Sequence, residues 1–263
     1  VRHLPFEEPL PTAGGSTRRQ WLAGAAALAA GLVMAVLVLP LGEDPVSIQQ
    51  FQTARGERAT FTLEDQSRIT LNTGSRVEVE FSGSARQVAL LQGEAYFDVE
   101  PDAGRPFRVE TGTATVTAIG TAFNIYRRED ASDITVTEGA VQVTERARAG
   151  RTSRSAVLQA NEYLQASERG LGQTLPVNPA PLTAWQRGEM IADEMSLLEL
   201  TRELARYTDT RIVIRDRNIA RLTVSGVFNL DHPDSVLQAV ERSLQLQVVR
   251  VDDHTVQLLK PRQ

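Results

Sequence analysis

The chain has 263 residues, a formal net charge of -5 and 23% charged residues, so it offers no basic surface for nucleic acid. It contains no cysteine, which excludes disulfides, thiolate metal sites and cysteine nucleophiles. Its three histidines, His3, His232 and His254, are scattered without metal-ligand spacing, and no metal or organic cofactor is expected.

Residues 1–20 carry Pro5, Pro9, Pro11 and the Gly14-Gly15 pair, which makes a folded unit there unexpected. The segment reads as a cytoplasmic stub, the tail of something longer. Residues 21–41, WLAGAAALAAGLVMAVLVLPL, contain no charge and are long enough as a helix to cross a hydrocarbon core of roughly 30 Å. Arg18 and Arg19 precede the run and Glu43 and Asp44 follow it. This asymmetry predicts a cytoplasmic N-terminus with the bulk of the chain across the membrane, and Trp21 fits the interfacial position. A cleavable signal peptide is the competing reading. Its apolar part would run about 7 to 15 residues and close on a small-residue site, whereas this run is longer and ends Val36-Leu37-Val38-Leu39-Pro40. A single retained transmembrane helix is therefore expected, followed by a juxtamembrane connector over 42–54.

From 55 to 169 apolar residues alternate with polar ones in short runs broken by turn residues. The pairs Phe61 and Leu63, Ile69 and Leu71, Val77 and Val79, Val88 and Leu90, Phe97 and Val99 set the pattern. Phe107 and Val109, Val116 and Ala118, Phe123 and Ile125, Ile134 and Val136, Val141 and Val143 continue it. Period-two alternation with turns roughly every eight to twelve residues predicts an antiparallel all-β domain. Chain breaks are expected at Asn72-Thr73-Gly74, at Gln92-Gly93 and in the corner between Pro101 and Pro106. Residues 146–155 read as a basic, exposed hairpin loop.

Residues 170–181, GLGQTLPVNPAP, hold three prolines and two glycines and read as a linker. A small α+β domain is predicted over 182–263, in the order β-α-β-β-α-β-β, with two helices on one small sheet. Its first strand is expected near 185–191. Ser196 to Glu199 has the form of a capping box, and Leu197, Leu200, Leu204 and Tyr207 follow a helical stripe. Pro233 suits the first turn of the second helix, whose buried face would carry Val236, Val240 and Leu244. Arg215-Asp216-Arg217 and Asp252-Asp253-His254 read as charged turns.

The run Leu90-Leu91-Gln92-Gly93-Glu94-Ala95-Tyr96-Phe97-Asp98-Val99, followed by Arg105-Pro106-Phe107-Arg108-Val109, resembles the FecR family of transmembrane sigma-factor regulators. So do Ile119-Gly120-Thr121-Ala122-Phe123-Asn124-Ile125 and Val136-Thr137-Glu138-Gly139-Ala140-Val141-Gln142-Val143. The resemblance covers about 53–169. The C-terminal unit resembles the short N-terminal domain of secretins and TonB-dependent receptors, a weaker likeness that rests on topology, Trp185 and Arg206-Tyr207. The resemblance implies a single-pass inner-membrane protein with a periplasmic bulk that senses the signalling domain of an outer-membrane TonB-dependent receptor. It implies control of an extracytoplasmic-function sigma factor, usually for iron-siderophore uptake, with proteases in the periplasm and membrane releasing the cytoplasmic piece. The family's cytoplasmic sigma-binding domain is missing from this sequence, so the chain as written is expected to sense and transmit without itself holding the sigma factor.

Gly120-Thr121 is the candidate site for chemistry. The resemblance implies self-cleavage at this bond, and a Thr hydroxyl attacking the preceding carbonyl would do it by an N-to-O acyl shift, given a base or strain to activate it. Gly120 read simply as a turn between two strands is the alternative, since no histidine is near in sequence. Apart from that bond the chain is not expected to be an enzyme. Glu94, Asp98 and Glu100 carry the spacing of paired carboxylates, but as alternate strand positions they read as a solvated face. The strand at Leu222 to Ser225 offers an edge for a partner strand. The competing function is an envelope structural or glycan-binding adaptor anchored in the inner membrane; the 5% aromatic content argues only against a sugar-stacking cleft.

Overall fold

The computed structural model describes residues 47–147 and 152–261. The stub expected over 1–20, the membrane helix expected over 21–41 and part of the basic loop expected over 146–155 lie outside the described residues. No helix among the described residues is long and apolar enough to cross a membrane.

Strand-forming alternation builds the first domain as expected. Its strands are β1 (Ser47–Gln52), β2 (Ala59–Thr62), β3 (Arg68–Leu71), β4 (Arg76–Phe81), β5 (Arg86–Asp98), β6 (Phe107–Glu110) and β7 (Ala114–Ala118). They continue as β8 (Ala122–Arg127), β9 (Ala131–Glu138), β10 (Ala140–Glu145), β11 (Ser155–Gln159), β12 (Glu162–Ser167), β13 (Gly170–Leu171) and β14 (Leu175–Pro176). The inward positions fill one core, in which Ile69, Leu71, Leu90, Phe97, Phe107, Phe123, Ile125 and Ile134 are fully buried. Phe97 stacks on Phe123 at 5.1 Å.

The 13-residue β5 is the spine, and no chain break occurs at Gln92-Gly93. Its first half pairs with β4 and β6, its second half with β3 and β8. Gly93 makes the change of partners possible. Its φ is +82°, and a Cβ there would lie 2.7 Å from the Ser75 Cα, so the residue must be glycine. The β5–β6 pairing is parallel, with Arg86 opposite Phe107, one exception to the antiparallel expectation. Arg86 is wholly buried and ties the intervening corner together. Its Nε donates to the Arg105 carbonyl at 2.7 Å, and its Nη1 donates to Asp65 at 2.7 Å and to the Glu100 carbonyl at 3.0 Å.

Two boundaries move. The connector over 42–54 contains β1, which pairs with β4 (Phe51 opposite Val77) and packs Phe51 against Phe61, ring centroids 4.6 Å apart and planes tilted by 35°. The linker over 170–181 contains β13 and β14, both paired to β12. Each is an edge strand held mainly by backbone hydrogen bonds, so its sequence shows little apolar alternation.

The second domain runs through α1 (Pro179–Thr183), a 3-10 turn (Ala184–Arg187), β15 (Glu189–Ser196), α2 (Leu197–Leu204) and β16 (Arg211–Ile214). It ends with α3 (Arg217–Ala220), β17 (Thr223–Asn229), α4 (Pro233–Ser243), β18 (Gln247–Asp252) and β19 (Thr255–Leu259). The capping box forms, with Ser196 Oγ accepting from the Glu199 amide at 3.2 Å and Glu199 accepting from the Ser196 amide at 3.1 Å. Two predictions change. Trp185 is buried in the 3-10 turn, because Gly188 (φ +76°) redirects the chain before β15 begins. The strands form two small sheets instead of one, β15 with β17 and β16-β19-β18, with β16 and β19 parallel. The residues expected as charged turns are exposed, but Asp216 caps α3 and Arg217 opens it, while Asp252 ends β18 before the turn at Asp253-His254.

Candidate functional site

The three longer motifs picked out in the sequence meet around Gly120-Thr121. The bond lies between β7 and β8. The Val99 amide donates to the Thr121 carbonyl and the Asp102 amide to the Ile119 carbonyl, each at 3.0 Å. A Cβ on Gly120 would sit 2.8 Å from Pro101 Cγ, and one on Gly139 would sit 2.8 Å from Thr121 Cγ2 and 3.2 Å from the Gly120 carbonyl oxygen. Glycine is thus required at 120 by close packing, and at 139 by packing together with its φ of +74°. Thr121 is 7% exposed. Its Oγ1 is buried and makes no hydrogen bond among the described residues. Buried hydroxyls are nearly always paired, so an orphan one is a place to look for function. It sits on a peptide pinned from both sides, with no base hydrogen-bonded to it.

A second site joins the two domains, and the sequence did not reveal it. Glu94, expected on a solvated face, is 4% exposed. Asn72, just after β3, donates from Nδ2 to Glu94 Oε2 at 2.8 Å, and Asn124 of β8 donates from Nδ2 to Oε1 at 2.9 Å. Arg206, two residues beyond α2, donates from Nη2 to Glu94 Oε2 at 2.6 Å. Its guanidinium stands 4.0 Å from the centroid of the Tyr126 ring, and its other arm pairs with Glu203 of α2. Tyr207 follows with its hydroxyl 2.8 Å from Asn72 Nδ2, while Thr73 Oγ1 donates to the Arg206 carbonyl at 2.8 Å. The other two carboxylates lie apart from this cluster: Asp98, at the end of β5, pairs with Arg68, and Glu100, beyond the strand, is exposed.

Charge explains the site's electrostatics. Burial opposes charge on Arg206, but Glu94 and Glu203 together overcome it and hold the guanidinium above the usual arginine value. Burial lifts the Tyr207 phenol above the ordinary tyrosine value, with Arg206 opposing. Glu203 is likewise raised by burial, again with Arg206 opposing. Two further ion pairs, Arg55–Asp209 at 2.8 Å and Arg58–Asp231, flank the junction.

Residues 49–142 match the family model described as FecR protein. The chain carries a FecR-family domain. Two crystal structures of a candidate anti-sigma factor from Parabacteroides distasonis are similar to this chain beyond that domain. The one at 2.50 Å resolution shares 25% identity with a TM-score of 0.65, over 82% of this chain and 100% of that one. The one at 1.65 Å shares 24% identity with a TM-score of 0.66, over 81% of this chain and 100% of that one. No curated protein matches the chain. The matched region includes the Gly120-Thr121 bond and the Glu94 cradle, whereas Arg206 and Tyr207 come from the domain that follows the FecR domain.

Proposed function

We propose that the protein is a signalling regulator of a sigma factor, anchored in the inner membrane by residues 21–41 and acting by binding. The observation that carries this reading is the FecR match over 49–142, joined to a fold shared along most of the chain with a candidate anti-sigma factor. The domains that follow residue 46 would stand in the periplasm and take their input from the signalling domain of a TonB-dependent receptor, in the service of iron-siderophore uptake. The effector would be an extracytoplasmic-function sigma factor, held through a cytoplasmic domain, and membrane proteases would release that domain. Two fusions and a reporter test it. Alkaline phosphatase joined after Gln263 is expected to be active and the same enzyme joined before Val1 inactive. A promoter served by the partner sigma factor is expected to change output when the chain is deleted. An inactive C-terminal fusion, or an unchanged promoter, would overturn the corresponding half of the proposal.

Self-cleavage at Gly120-Thr121 belongs to the same reading. The Thr121 Oγ attacks the Gly120 carbonyl carbon, a C–O bond forms as the C–N bond breaks, and the hydroxyl proton passes to the released amine. Water then hydrolyses the ester, leaving a Gly120 carboxylate and restoring the Thr121 hydroxyl. The buried, unpartnered Oγ1 supports this step. An immunoblot of C-terminally tagged protein is expected to show a fragment beginning at Thr121, which Thr121→Ala abolishes; a fragment persisting in that variant would rule the step out.

A further inference from the structure

We infer that the cradle formed by Glu94, Asn72, Asn124 and Tyr126 on the FecR domain is a recognition site for an Arg-Tyr pair on an extended or helix-ending peptide, and that Arg206-Tyr207 occupies it in cis. This goes beyond sigma-factor control and does not depend on it.

Three observations carry the inference. First, the cradle has the form of a built guanidinium site. A carboxylate nine-tenths and more buried is aimed by two amide donors, an aromatic face lies against the guanidinium at 4.0 Å, and Asn72 receives the following phenol. Carboxylate pairing together with stacking is what guanidinium recognition uses, and an ammonium cannot reproduce it.

Second, the cis occupant underfills the site. Arg206 gives Glu94 a single hydrogen bond and spends its other arm on Glu203. Asn124 is 3% exposed, yet its Oδ1 is buried with no hydrogen-bond partner. A guanidinium free of Glu203 has donors for both Glu94 and this orphan acceptor, and forked pairs are the stronger ones.

Third, the cis contact can be undone without opening the FecR-domain core, and the residue it uncovers in the second core is Tyr207 itself. The apolar core of the FecR domain and that of the second domain are separate, and Tyr96 is the one FecR-domain residue packed on the second core among the described residues. The seam itself is made of hydrogen bonds and ion pairs, in the manner of interfaces that open.

The test uses the full chain in detergent and, as probe, the fluorescent peptide ELTRQLARYTD, the sequence of residues 199–209 with glutamine in place of Glu203. In the Arg206→Ala, Tyr207→Ala chain the cradle is vacant, and the peptide is expected to bind at least about tenfold tighter than to the wild type. Adding Glu94→Gln to that background, or replacing the second arginine of the peptide by alanine, is expected to weaken binding at least about tenfold, the scale of one charged hydrogen bond. Equal binding to the vacated chain with and without Glu94→Gln overturns the inference, as does absence of binding to a vacated chain that retains its native circular dichroism. If the double-alanine chain does not fold, Arg206→Lys replaces it. That variant keeps a cation in the cradle but loses the planar guanidinium and its stack on Tyr126, so the peptide is again expected to bind it at least about tenfold tighter than wild type. Equal binding to the two overturns the inference.

Discussion

Arg206 reaches Glu94 across 112 positions of sequence, and the two meet at 2.6 Å with side chains 16% and 5% exposed. The pair closes the seam between two apolar cores that do not merge. Removing one partner leaves the other charge buried and uncompensated, which costs about 3 kcal/mol. Arg206→Ala alone and Glu94→Gln alone are each expected to lower the unfolding free energy by that order. The double variant is expected to lose clearly less than the sum, since the coupling is lost only once. Urea denaturation of the four proteins measures it. Additive losses would show that the two side chains act independently of each other.

At Thr121 the hydroxyl costs stability because it is buried without a partner. Replacing it by a methyl group of the same shape, Thr121→Val, is expected to raise stability by about 1 kcal/mol while abolishing any scission at the bond before it. Thr121→Ser keeps the nucleophile and is expected to retain the fragment. Gly120→Ala drives a methyl into Pro101 and is expected to cost about 1–3 kcal/mol by overpacking. A stability unchanged in Thr121→Val would mean that the hydroxyl finds a partner in solution, most simply a water molecule.

The alternation of Phe97 and Val99, Phe123 and Ile125, Ile134 and Val136 made the all-β domain legible, because one buried face per strand leaves a period of two in the sequence. The same rule hid Glu94. It shares the outward face of β5 with Tyr96 and Asp98, and that face becomes buried only where the second domain lands on it, a contact no local pattern records. The edge strands β1 and β14 were missed for a related reason: their partners are backbone groups, so Ser47–Gln52 and Leu175–Pro176 show little of the apolar alternation. Helix α2 was legible from Ser196 and Glu199, because capping is chemistry between near neighbours. The sequence marked Gly120 and Gly139 by their motifs, but their common reason, one packed against Pro101 and the other against Thr121, is a long-range fact.

Glycine at 93 and glycine at 74 both have positive φ, +82° and +58°, but only the first is crowded. A methyl at 93 would strike the Ser75 backbone and side chain. Ser75 Oγ donates to the Glu94 carbonyl at 3.0 Å and accepts from the Glu94 amide at 2.9 Å, so the clash would propagate to the cradle. Gly93→Ala is expected to cost about 3 kcal/mol, from strain and overpacking together. Gly74→Ala, with nothing within 4 Å, is expected to cost about 1 kcal/mol. Comparable losses at the two positions would mean that β5 shifts to accommodate the methyl.

Glu203 makes the junction sensitive to pH in a direction that can be worked out. Burial raises its pKa above the ordinary 4.5, with Arg206 pulling it down and Glu94 pushing it up. Below the ordinary value the carboxyl is protonated in both the folded and the unfolded chain, and it contributes no difference. As pH rises, the unfolded chain ionises first, so the folded state holds more protons and stability falls until the raised folded value is passed. Asp102 and Asp252 shift the other way, their carboxyls lowered by the Arg105 side chain and by the His254 amide respectively, so their stabilisation is lost only in more acidic solution. Glu203→Gln removes the first trend and leaves the second. Denaturation midpoints collected from about pH 4 to pH 7 are therefore expected to show the wild type losing ground to Glu203→Gln as pH rises. Parallel curves would mean that Glu203 ionises in the folded chain as it does in the unfolded one.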